Sequence, residues 1–138
     1  MHILCGGSQK LTSLKGAPRE CAAFNCSECP NLTSLKGAPQ KSEEFYCDRC
    51  TSLTTLEGAP QECKWFSCSG CENLTTLEGV PQRCKALYCE RCTSLTSLEG
   101  APRECREIHC DHCKKLTSLE GGPQNCEYST KGCRKLKK

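Results

Sequence analysis

Apolar and polar positions recur along the chain every 21 residues. The motif Leu-Thr-Ser/Thr-Leu starts at Leu11, Leu32, Leu53, Leu74, Leu95 and Leu116, with no insertion between copies. Its second leucine falls at Leu14, Leu35, Leu56, Leu77, Leu98 and Leu119, and a Gly-x-Pro follows each time, from Gly16-Ala17-Pro18 to Gly121-Gly122-Pro123. Counted from Cys21, one unit reads C-x-x-F-x-C-x-x-C-x-x-L-x-x-L-x-G-x-P-x-x. Position four holds Phe24, Phe45, Phe66, Leu87 and Ile108. A fixed period of this length marks a solenoid of stacked supersecondary units.

The pattern within a unit predicts a short strand over positions four to six with alternate side chains facing inward. Glycine and proline then turn the chain and leave too little room for a full helix, so the return is extended. No unit can bury its aromatic, two leucines and cysteines alone; stability has to come from stacking at a strand spacing of roughly 4.8 Å. The expected fold is a β-solenoid-like domain of about six 21-residue units with one parallel sheet and little or no helix. It occupies residues 1–138 as one domain: a truncated first unit over 1–10, regular units over 11–125, and a terminal unit with a basic tail over 126–138. Ile3, Cys5 and Ser8 take positions four, six and nine of the truncated unit. At the far end Cys126, Ser129 and Lys131 are expected to replace the core pattern as a polar terminator, with Cys133 one residue early. The first coil has little visible cap, which predicts a homodimer or larger assembly at the N-terminal end.

The unit resembles the leucine-rich repeat, whose frame L-x-x-L-x-L-x-x-N/C-x-L is met with Cys in place of several leucines and at the Asn/Cys position. One extra residue separates that cysteine from the next leucine, a spacing similar to cysteine-bearing, short extended-back variants of the family. The Leu-Thr-Ser-Leu-Glu-Gly-Ala-Pro text is similar to repeats in bacterial, phage and large DNA virus proteins. The resemblance covers nearly the whole chain. It implies that the sheet forms a concave face that binds ligands, and it raises two settings: an interaction protein in a cell's cytoplasm, or a structural component of a particle.

Composition bounds the alternatives. Hydrophobic residues make up 36% of 138 residues, and no run approaches a membrane span of about 18 apolar residues. The opening Met1-His2-Ile3-Leu4-Cys5-Gly6-Gly7 lacks the basic segment and apolar run of a secretory signal, so localisation is left unassigned, cytoplasmic by default. A net charge of +3 with alternating signs is too mild for a nucleic-acid footprint, and no nucleic-acid partner is expected. Lys131, Arg134, Lys135, Lys137 and Lys138 cluster in a tail read as a solubilising end. Paired carboxylates, an activated nucleophile and a phosphate loop are all missing from the pattern, so the chain is not read as an enzyme.

Seventeen cysteines exceed the usual threshold for a disulfide scaffold. Three readings stay open. Cysteines at positions one, six and nine are small apolar groups stacking into ladders. Alternatively each Cys-x-x-Cys closes a disulfide: Cys26 with Cys29, Cys47 with Cys50, Cys68 with Cys71, Cys89 with Cys92, Cys110 with Cys113. Links between identical positions of neighbouring units fit less well, because a strand spacing of roughly 4.8 Å exceeds the roughly 3.8 Å between relaxed disulfide Cβ atoms. The third reading has neighbouring pairs supply four thiolates to zinc, with His109 and His112 joining in one unit; five near-identical pairs fit that poorly, and no metal or other cofactor is assigned. Catalytic Cys-x-x-Cys chemistry would require an exposed, activated thiol, which this pattern does not place.

Function is expected on the outward strand positions. Trp65 and Tyr128 are assigned to position three, Tyr46, Tyr88 and His109 to position five, so every tyrosine and the only tryptophan fall on the outer face. Polar-tipped aromatics anchor interfaces, although they also simply favour strands. Variation gathers on this face while the back is nearly constant, as in repeat proteins that bind partners. The expected function is a non-enzymatic interaction or assembly module that engages a protein through Tyr46, Trp65, Tyr88, His109 and Tyr128. A thiol-rich zinc-binding or disulfide-stabilised virion or extracellular structural protein is the alternative.

Overall fold

The computed structural model describes residues 1–137; Lys138, the last residue of the basic tail, lies outside the described residues. Each 21-residue unit forms one coil, and each coil adds one strand to a single parallel sheet. The strands are β1 (His2–Leu4), β2 (Glu20–Asn25), β3 (Lys41–Tyr46), β4 (Glu62–Ser67), β5 (Ala86–Tyr88), β6 (Glu107–His109) and β7 (Glu127–Ser129). They pair in chain order, β1-β2-β3-β4-β5-β6-β7. The described residues contain no helix, and therefore none long and apolar enough to cross a membrane.

The common strand covers positions three to five, one residue earlier than the pattern suggested, because position six already begins the turn. Register is in phase between regular coils: Phe24 faces Phe45 and Phe45 faces Phe66. The rings stack nearly parallel, with centroids 5.5 Å apart for Phe24–Phe45 and 5.3 Å for Phe45–Phe66. Leu87 and Ile108 continue the row, both fully buried. Two leucine rows face this ladder from the return segment: Leu32, Leu53, Leu74, Leu95 and Leu116 on one, Leu35, Leu56, Leu77 and Leu98 on the other, all buried. The core is thus a set of parallel columns running the length of the solenoid.

The constant back has a polar reason. Amide and hydroxyl groups at position eleven bond the carbonyls of the coil before: Asn31 to Gln9 and Asn73 to Thr51, both at 2.6 Å, with Ser94 to Glu72 alike at 2.6 Å. The threonine of each Leu-Thr pair does the same in alternate coils, as Thr117 Oγ1 donates to the Thr96 carbonyl at 3.2 Å. A coil without helix or sheet on its back leaves carbonyls to satisfy. These short side chains meet them, so Thr, Ser and Asn recur there.

Two turns punctuate every coil. The Gly-x-Pro turn brings backbone against backbone: a Cβ on Gly58 would fall 2.5 Å from the Lys36 nitrogen, and its φ is +97°. The second turn, at position eight, is also left-handed, yet it carries Glu28, Arg49, Arg91 and His112 at φ between 55° and 62°. Nothing in the pattern announced this one. Its hint was glycine in the same column, at Gly7 and Gly70 and, in the shifted last coil, Gly132.

The last coil corrects one expectation. Tyr128 pairs with Ile108, and Glu127 with Glu107, so the period shortens there from 21 residues to 20. One residue fewer lies between Cys126 and the inward residue than between Cys105 and Ile108. Tyr128 therefore takes the inward position four. It packs half-buried against the core, and its hydroxyl donates to the Pro123 carbonyl. Cys133 and Leu136 follow in the shifted frame and also pack on the core. The terminal coil is a shortened regular coil and not the polar terminator inferred from aligning Cys126 with Cys105.

Candidate functional site: the outward strand face

The inner cysteine rows limit what chemistry the interior can do. All seventeen cysteines are free thiols. Those at positions six and nine from Cys26 to Cys113 are completely buried. Each position-nine thiol donates to the position-six carbonyl of the previous coil: Cys50 to Cys26 at 3.2 Å, Cys71 to Cys47 at 3.2 Å, Cys92 to Cys68 at 3.1 Å and Cys113 to Cys89 at 3.1 Å. The position-six thiols also turn to backbone, as Cys47 donates to the Ser67 carbonyl at 3.4 Å and Cys110 to the Ser129 carbonyl at 3.2 Å. The neighbouring position-nine thiol of the next coil, then burial, pushes the Cys47, Cys68 and Cys89 thiols well up. One pair of identical positions also meets, with Cys84 and Cys105 Sγ atoms 3.7 Å apart. Among the described residues no three His, Cys, Asp or Glu side chains converge as a metal ion would require.

Outside the sheet, odd positions form columns. The position-five column reads Leu4, Asn25, Tyr46, Ser67, Tyr88, His109 and Ser129, paired rung by rung. Tyr88 and His109 stack with ring centroids 4.7 Å apart and planes within 7°. His109 Nε2 lies 3.2 Å from Glu107 Oε1, which anchors the imidazole over its own strand. Tyr46 donates its hydroxyl to Glu44 Oε1 at 2.5 Å. This bond, then burial, raises the Tyr46 phenol to about 12, so the ring stays neutral.

Ser67 is the small residue in this column and is almost fully buried between two tyrosine coils. Its hydroxyl donates to Asp48 Oδ1 at 2.5 Å, and the same oxygen accepts the Ser69 backbone N–H at 2.9 Å. The gap above Ser67 opens into a cleft of about 570 Å³ lined by Glu44, Tyr46, Asp48, Trp65, Ser67, Ser69, Tyr88 and Glu90. Three aromatic rings and three carboxylates surround it, and no basic side chain lines it. Trp65, 36% exposed, sits in the column at position three. Lys85 Nζ lies 5.7 Å from the centre of its ring.

The structure thus brings Tyr46, Trp65 and Tyr88 together, sets His109 behind Tyr88, and removes Tyr128 to the core. Sequence reading missed the carboxylates Asp48 and Glu90 at position seven and the notch at Ser67. The signal for the notch was a serine between two tyrosines at a 21-residue spacing. No family model, curated protein or solved structure matches this chain.

Proposed function

We propose that the protein is a non-enzymatic interaction module of the leucine-rich-repeat kind, binding a protein partner on its outward strand face. The observation that carries this reading is the clustering of Tyr46, Trp65 and Tyr88 around one open cleft on the outward strand face. Ordered aromatics with polar tips lose little entropy on binding and provide large contact area. Behind them, the leucine, phenylalanine and cysteine columns make a stiff support whose thiols are spent on backbone carbonyls.

The test replaces Tyr46, Trp65, Tyr88 and His109 together with alanine and measures retention of proteins captured by cross-linking to the immobilised wild type. Loss of at least one specific partner is the expected result. Retention of every partner overturns the assignment. Folding of the variant is checked by its thermal midpoint, since none of the four side chains belongs to the inner columns.

A second reading concerns the end of the sheet. The outer edge of β1 has no strand partner among the described residues, and Leu4 beside it is 79% exposed. An unpaired edge is a template for another strand. We infer that a second copy pairs there, giving a homodimer or larger assembly.

A further inference from the structure

The cleft above Ser67 has dimensions that select its occupant. This step rests on the interaction-face reading above and names the chemistry that the face recognises. Tyr46 and Tyr88 belong to one column and are two coils apart, with only Ser67 between them. Adjacent rings in that column stand 4.7 Å apart, as Tyr88 and His109 show. Rings two coils apart are therefore separated by roughly 9.5 Å. A flat guanidinium in van der Waals contact with both rings would need only about 7 Å. A lysine ammonium reaches one ring and leaves its remaining hydration shell poorly replaced. A methylated ammonium midway between the rings keeps its nitrogen just under about 5 Å from each, inside the cation–π range of about 6 Å, and its methyl groups fill the remaining space.

Electrostatics agrees with the size argument. Glu44, Asp48 and Glu90 border the cleft with no basic residue opposing them there. The Ser67 hydroxyl is committed to Asp48, so the floor turns no free donor toward a cation. The Tyr46 hydroxyl is likewise committed to Glu44 and leaves the ring face open. Trp65 forms the side wall, and its ring already takes a cation on one side in the Lys85 ammonium at 5.7 Å. We propose that Tyr46, Trp65, Tyr88 and Ser67 form an aromatic seat for a methylated lysine side chain of the protein partner, with Glu44, Asp48 and Glu90 supplying the complementary charge.

Trp65 is the only tryptophan, so its fluorescence reports on the seat directly. The probes are three versions of one short peptide carrying trimethyllysine, unmodified lysine, or the neutral tert-butyl isostere of trimethyllysine at one position. The full chain should bind the trimethyllysine peptide about tenfold more tightly than either of the others, the difference expected when a desolvated cation–π contact is lost. Ser67→Phe, which fills the gap with a strand-compatible side chain, should abolish that selectivity, its folding checked by the thermal midpoint; Tyr46→Ala and Tyr88→Ala, at half-buried rings, should each reduce it. Equal affinity for the neutral isostere would overturn the proposal, since the cleft would then be merely apolar. Unchanged selectivity in Ser67→Phe would overturn it too. Tighter binding to phosphatidylcholine vesicles than to the peptide would assign the seat to a lipid headgroup and sink the protein-side proposal. Absent selectivity, with capture still lost in the four-alanine variant, removes the seat and leaves the interaction face standing.

Discussion

At the scale of single residues, cysteine behaves here as a small apolar side chain with one weak donor. Burial is the largest influence on Cys63, raised to about 12, and on Cys126, raised to about 11, against an ordinary 9.0. Cys50, Cys105 and Cys113 move the other way because a neighbouring thiol donates to them, but the raised groups are more numerous. A thiol whose folded pKa exceeds its unfolded one stabilises the fold fully below the unfolded value and loses that contribution as pH rises through the folded value. The urea midpoint of the reduced protein should therefore hold steady up to about pH 9 and fall steadily between about pH 9 and 12. A flat profile across that window would mean that the thiols are not buried as described. Native alkylation at pH 8 should likewise label the half-buried Cys5, Cys21, Cys126 and Cys133 first, with all seventeen reacting only after denaturation. Intact mass after timed quenching checks this. Backbone strain is equally local: Gly58→Ala would force a side chain into a left-handed turn and onto the Lys36 nitrogen. We expect it to cost at least about 2 kcal/mol in equilibrium unfolding.

At the scale of the element, each strand is held mainly by its neighbours. Strands β2 to β4 extend over six residues, whereas β5 to β7 keep three. The phenylalanine ladder coincides with the longer strands. Phe45 is fully buried between Phe24 and Phe66, so Phe45→Ala removes two stacking contacts and opens a cavity between coils. The expected loss is about 3–5 kcal/mol, read by urea titration. Exposed ion pairs between coils, such as Lys41 with Glu62 at 3.7 Å and Arg49 with Glu28 at 3.3 Å, add little by comparison. Their reach from one coil to the next favours the in-phase register. Strand existence and inward positions were readable from the 21-residue pattern because repetition supplies several copies of the same signal. The Tyr128 assignment failed because the terminal coil has one residue fewer after Cys126; the early Cys133 was the sign of it, and only strand pairing showed where the residue was lost.

At the scale of the whole molecule, the solenoid is a one-dimensional stack in which every coil contacts only the next. Among the described residues each strand pairs only with its neighbours in the chain, and β1 and β7 each keep one edge without a strand partner. If β1 takes up a second copy, sedimentation should show mass rising with protein concentration, and Leu4→Lys should shift the association by about tenfold toward monomer. A constant monomer mass at high concentration would count against that assembly. An isologous β1–β1 contact closes as a dimer, whereas β1 against β7 would continue as a filament, so the size distribution also identifies which edge is used.

The amino-acid sequence alone determined the coil: its period, its inward Phe and Leu columns, its Gly-x-Pro turn and the strand positions three and five left facing out. Those follow from periodicity, because each column is written into every unit and has only one way to be buried. The sequence could not determine which outward residues meet. The seat above Ser67 arises from two tyrosines 42 residues apart, a tryptophan in the coil between, and carboxylates from position seven. Their convergence depends on in-phase register across three coils and on side-chain direction, quantities that exist only after stacking. The same dependence set the cysteine contacts on the diagonal between coils, since parallel stacking brings the position-nine thiol of one coil to the position-six carbonyl of the last.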